Sequence, residues 1–145
     1  MLARFLRDRR GSIAPLFGIA VIPLLGGVGV AVDYSRATAT KAAFQAALDS
    51  TALMLSKSAA NQSAATLQTS ANTYFNALFT RASEVKNLNL TTSYSSTGGS
   101  KVVLSGTATL PTNFLGVLGY DHLDITASST ATWGNTRLRV ALVLD

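Results

Sequence analysis

The sequence predicts an α+β protein rooted in a membrane: a transmembrane helix that continues into a long amphipathic helix, then a second helix and a small antiparallel sheet. Three observations carry this. Residues 11–32 hold no charged side chain, apolar residues recur at helical spacing from about residue 35 to 81, and beyond residue 87 the apolar period changes to two.

The first stretch contains Ile13, Leu16, Phe17, Ile19, Val21, Ile22, Leu24, Leu25, Val28, Val30 and Val32. As a helix it reaches about 33 Å, enough for a hydrocarbon core of about 30 Å. Arg4, Arg7, Arg9 and Arg10 precede it against a single Asp8, and the first charge after it is Asp33. This asymmetry keeps the basic end in the cytoplasm and sends the rest across, so the lipid bilayer is the first expected partner. A cleaved signal peptide is the rival reading, with a weak small-residue exit at Gly29 to Ala31, but the run exceeds the usual apolar length of such peptides. Pro15 fits a first turn and Pro23 is expected to kink the helix. The pairs Ala14/Gly18 and Gly27/Ala31 have the four-residue spacing that lets helices approach closely, and equally the composition usual for such segments.

From Ser35 to about Ser58 neither Gly nor Pro interrupts the helix, and Ala37, Phe44, Leu48, Ala52 and Leu55 fall on one face. Such a stripe packs against the chain's own domain or against partner rods. Phe44, Leu48, Ala52 and Leu55 are therefore the candidate interface residues. After a break at 59–63, Leu67, Ala71, Tyr74, Phe75 and Leu78 define a second helix over about 64–81. Leu88, Leu90, Thr92 and Tyr94 then alternate with polar residues. Gly98-Gly99 marks a turn, and Val102, Leu104, Gly106, Ala108 and Leu110 alternate up to Pro111. Phe114, Leu115, Val117 and Leu118 are expected to form a short buried helix before Gly119. A third strand over about 123–133 points Leu123, Ile125, Ala127, Ala131 and Trp133 one way. The small residues of the inner face suit close approach of an Ala-rich helix, a pilin-like arrangement in the general sense.

Residues 138–144 become continuously apolar and stop at Asp145, as in the first strand of a parallel sheet. The expectation is a second, α/β domain that begins here and is truncated. An acidic residue at the carboxyl end of such a strand is a candidate metal or phosphate contact, and otherwise simply ends a hydrophobic strand. The expected boundaries are 1–10 basic segment, 11–32 transmembrane helix, 33–134 α+β domain and 135–145 start of the truncated domain.

The net charge is +5 over 145 residues, with most of the basic excess in the first ten; elsewhere no basic run suggests nucleic acid. The absence of cysteine excludes disulfides and thiolate metal sites. His122 with Asp124 is the nearest approach to an acid–base pair, and abundant Ser and Thr make that coincidence cheap. Gly26-Gly27-Val28-Gly29 lies in the apolar stretch and is better read as helix packing than as a phosphate loop. Asn61-Gln62-Ser63 and Asn89-Leu90-Thr91 match glycosylation acceptors at a frequency chance supplies. No enzyme activity and no cofactor are expected.

Three segments together resemble the N-terminal region of TadG-type proteins, within the TadE/TadG-like group of the tight-adherence (Tad, or Flp) pilus system. They are Arg9-Arg10-Gly11-Ser12-Ile13-Ala14-Pro15-Leu16-Phe17, Gly29-Val30-Ala31-Val32-Asp33-Tyr34-Ser35-Arg36 and Phe44-Gln45-Ala46-Ala47-Leu48-Asp49-Ser50-Thr51-Ala52-Leu53. The segment from Leu110-Pro111-Thr112-Asn113-Phe114 to Gly119 adds to the likeness. The resemblance implies a bacterial inner-membrane, single-pass, non-enzymatic component with a periplasmic domain and pilus-assembly or pilin-like partners. Many TadG-like proteins continue into a von Willebrand factor A domain. Val140-Ala141-Leu142-Val143-Leu144-Asp145 is similar to its first strand, which makes Asp145 the first residue of an incomplete metal motif and Mg a cofactor only of a longer parent. That domain carries the alternative reading, a membrane-tethered adhesion or ligand-binding protein. Pilin-like relatives cut by a prepilin peptidase carry Glu at the fifth mature position; after Gly11 that position is Leu16, which favours an anchored assembly factor or a minor, unprocessed component.

Overall fold

The computed structural model describes residues 13–134. The four N-terminal arginines and the segment ending in Asp145 lie outside the described residues. Helix α1 runs over Ile13–Ser56, 44 residues or about 66 Å, without interruption at Pro23. A 3₁₀ turn at Ala59–Asn61 leads to α2, Ala64–Leu78, whose first turn is capped by Ser63: its hydroxyl accepts the Thr66 N–H at 3.2 Å. α2 stops three residues before its expected end, where Phe79 turns extended and its side chain drops into the core. A second 3₁₀ turn at Ala82–Glu84 leads to β1, Lys86–Ser95, then β2, Ser100–Pro111, and β3, His122–Trp133. The strands form an antiparallel meander in the order β1-β2-β3.

The outer half of α1 and all of α2 cover one face of this sheet. Leu90, Val102, Leu104, Ala108, Leu110, Ile125 and Ala131 meet Phe44, Ala47, Leu48, Ala52 and Leu55 of α1 and Leu67, Ala71 and Phe75 of α2. The rings of Phe44, Phe75 and Phe79 lie 5.1–5.4 Å apart, with both Phe44 pairs edge-to-face. Gly106 sets the distance between layers: a Cβ there would lie 2.7 Å from Phe44 Cζ and 2.9 Å from Leu90 Cδ2. The ring of Phe44 fills the space that any larger residue at Gly106 would need. Register pairs Gly106 with Leu90 on one side and with Ala127 on the other.

Glutamines tie the helices to the two outer strands. The Gln68 side chain of α2 donates to Leu90 O and accepts from Thr92 N, both at 2.9 Å, along β1. Gln45 of α1 donates to Ser128 O of β3 at 3.1 Å. Pairing backbone groups of an outer strand in this way opposes edge-to-edge association. A β-bulge at the start of β1 places Asn87 at φ 52°, where its amide donates to Thr109 Oγ1.

Candidate functional site

Two surfaces are built around α1. The first is the inner half of the helix, where Ile13, Leu16, Phe17, Ile19, Ile22, Leu24, Leu25 and Val28 are all exposed. It is long and apolar enough to cross a membrane, with few of its residues covered by the protein. Gly18, Gly26 and Gly27 have open space where a Cβ would be, so nothing among the described residues uses them for packing.

The second surface is the junction where the apolar half meets the domain. Gly29, Asp33, Thr40, Phe44, Ala47, Leu48, Thr51, Ala52 and Leu55 form one buried stripe at intervals that follow the helical repeat. The domain thus reaches down the helix as far as Gly29. Asp33, 2% exposed, is the anchor of this junction. Its carboxylate accepts the N–H groups of Phe114 and Leu115 at 2.7 Å each and of Asn113 at 3.0 Å. Three consecutive amides converge because the chain folds into a 3₁₀ turn, Leu115–Leu118, closed by Gly119 at φ 89°. Burial pushes the Asp33 carboxyl up, but the amides of Leu115, Asn113 and Phe114 and the charge of Arg36 outweigh it and hold it below its ordinary value. Gly29 completes the seat: a Cβ there would lie 2.6 Å from Phe114 Cβ, so only glycine lets Phe114 lie against the helix.

Beyond Asp33 along α1, Glu84 collects the next charges. It pairs with Arg81 at 2.9 Å and Arg36 at 3.8 Å and accepts the Thr40 hydroxyl at 3.2 Å, fixing the approach to β1 against α1.

The expected interface residues Phe44, Leu48, Ala52 and Leu55 are each 0% exposed, in the domain's own core. Of the two readings open to that stripe, the structure places it on the chain's own sheet and α2, because Gly106 and the Ala-rich strand face leave a recess that the stripe fills. The outward face of the rod instead shows Leu53 and Met54. The short helix before Gly119 is present but not buried: Phe114, Val117 and Leu118 are exposed, since apart from the seat of Phe114 on Gly29 the segment is held through its backbone amides. His122 and Asp124 lie 3.8 Å apart on the solvent face of β3, 59% and 74% exposed at the side chain. Among the described residues no cluster of three His, Cys, Asp or Glu is placed to hold a metal.

One helix, long and apolar enough over its first half to cross a membrane, runs unbroken into the core of a small α+β head. Residues 11–62 match the family model for Flp pilus-assembly TadE/G-like proteins, over the whole of α1 and the turn after it. The TadE/TadG-like resemblance holds over that segment. No curated protein and no solved structure matches the chain.

Proposed function

We propose that this chain is a single-pass inner-membrane component that supports assembly or anchoring of a Tad/Flp pilus through protein contacts and not through catalysis. The observation that carries the reading is that the pilus-assembly match covers the helix joining the apolar segment to the core of the head. A helix of this build transmits position: Phe44, Leu48, Ala52 and Leu55 lock the head to the rod, and Asp33 locks it again at the membrane exit. In this reading the arginines before residue 11 stay cytoplasmic and residues 33–134 lie in the periplasm. The test is piliation of a Tad-piliated strain from which the chain is deleted. Loss of surface pili, restored by the full chain and not by residues 33–145 carrying a cleavable export signal, is the expected result. Unchanged piliation in the deletion strain overturns it.

The apolar run ending at Asp145 supports a second reading, a tethered ligand-binding protein acting through a von Willebrand factor A domain. Magnesium-dependent binding by a longer parent, unaffected by deletion of the pilus system, would favour it.

A further inference from the structure

We propose that the β2–β3 connection, residues 112–121, is a second membrane contact, its 3₁₀ turn lying in the outer-leaflet interface beside α1. The inference rests on the reading of residues 11–32 as membrane-spanning. Four observations converge on it.

The first is level. Phe114 packs on Gly29, which precedes Asp33 by four residues, about 6 Å along the helix axis. The contact therefore falls beside the last turn of the uncharged segment, at the edge of the hydrocarbon, and Asp33 fixes it there through three amides. The second is side-chain chemistry. Val117, Leu118 and Phe114 are 88%, 60% and 49% exposed, and the only charged residue from Val102 to Asp121 is Asp121, at the far end of the loop. Like the apolar residues along the first half of α1, these apolar side chains are left uncovered by the protein.

The third is the backbone. Irregular chain survives beside lipid only where its polar groups are paired within the protein. Here Asn113, Phe114 and Leu115 donate to Asp33, Thr112 N to Asp121 O, Val117 N to Phe114 O, Gly119 N to Gly116 O and Tyr120 N to Leu115 O. The Thr112 hydroxyl donates to Tyr120 O. The fourth is the aromatic pair Tyr34 and Tyr120, 71% and 64% exposed, next to the clamp on α1 and at the end of the loop. Exposed tyrosines at this position match the belt that such residues form at membrane–water boundaries. Lipid is favoured over a protein partner because the Phe114–Gly29 contact and the Asp33 hydrogen bonds hold the loop's apolar residues at the level where the uncharged segment of α1 ends.

The chain contains no cysteine, so single labels are unambiguous. Val117→Cys and Leu118→Cys, each carrying an environment-sensitive fluorophore, are placed in the full chain in phosphatidylethanolamine/phosphatidylglycerol vesicles. Leu24→Cys reports the membrane helix and Thr97→Cys the far hairpin. The expected result is blue-shifted emission at both loop sites, loss of intensity with shallow doxyl lipids and protection from iodide, with Thr97 showing the opposite. If Leu24 is quenched by lipid while both loop sites behave like Thr97, the loop proposal fails and the membrane reading stands. If Leu24 also stays aqueous, both fail. Loop labels exposed to iodide in vesicles but shielded in piliated cells would assign the surface to a protein and overturn the lipid contact. Val117 contacts so little of the protein that its substitution leaves the fold intact, and Leu118 supplies an independent second site.

Discussion

Replacing Gly106 by alanine probes the fit between helix and sheet. The added methyl would lie 2.7 Å from Phe44 Cζ and 2.9 Å from both Phe44 Cε1 and Leu90 Cδ2, closer than carbon atoms pack. Phe44 has little room to yield, because Phe75 and Phe79 stand 5.1 Å and 5.4 Å from it, edge-to-face. Overpacking of this kind costs about 1–3 kcal/mol. Removing a glycine from the unfolded chain returns about 0.4–1 kcal/mol. The clash wins, leaving a net loss of about 1–2 kcal/mol, and a head of this size melts about 4–8 °C lower for each kcal/mol. Thermal unfolding of the full chain in detergent, followed by near-ultraviolet circular dichroism, is expected to show a midpoint about 5–15 °C lower. In a Phe44→Leu background the same substitution is expected to cost less than about 0.5 kcal/mol, giving a coupling near 1 kcal/mol between the sites. A Gly106→Ala protein that melts at or above the parent temperature would refute the close packing of Phe44 over Gly106.

Asp33→Asn weakens the acceptor for three amides, so Asn113, Phe114 and Leu115 are expected to exchange hydrogen faster while the sheet amides keep their protection. The Asp33 carboxyl is held below its unfolded value, so its contribution is complete above about pH 4 and is lost as pH falls through the lowered folded value. A titration of the Phe114 and Leu115 amide resonances checks this, and release of the loop on raising pH would contradict it. Gly29→Leu is expected to expel Phe114 and loosen the same amides with little change in the melting of the head. Gln68→Ala removes two hydrogen bonds along β1 and is expected to cost about 1–2 kcal/mol, with faster exchange at Thr92. Phe44→Asp buries an unpaired charge and is expected to unfold the head, whereas Leu53→Asp, at a position 63% exposed, shifts stability by less than about 0.5 kcal/mol. Piliation assays must therefore separate loss of contact from loss of fold.

Periodicity made the elements legible. The strand faces alternate as their residues do, with Leu88, Leu90, Thr92 and Tyr94 inward on β1, and the stripe through Phe44 and Leu55 lies on one side of α1. What periodicity could not supply was the partner of each face. Phe44, Leu48, Ala52 and Leu55 suit a neighbouring rod as well as a sheet, and the deciding feature, the recess over Gly106, exists only once three strands are paired. The clamp was less legible still. Asp33 reads in sequence only as the charge that closes the apolar run, because its three donors lie 80 to 82 residues away. Gly29 reads as a small residue of a membrane helix, and the reason it must be small arrives from the same distant loop. A local signal did exist: Asn113 and Phe114 precede an apolar turn closed by Gly119, a short helical turn whose first amides need an acceptor. Its apolar residues suggested burial, but a turn held by its backbone leaves its side chains outward.

The measurement that bears most directly on the central claim is fractionation, with intact mass, of the tagged chain from cells making Tad pili, comparing inner membrane, sheared filaments and soluble periplasm. An anchored assembly component predicts the full-length mass confined to the inner membrane. Recovery in sheared filaments would make the chain a pilus subunit, and a soluble periplasmic product lacking about the first thirty residues would contradict the anchor itself.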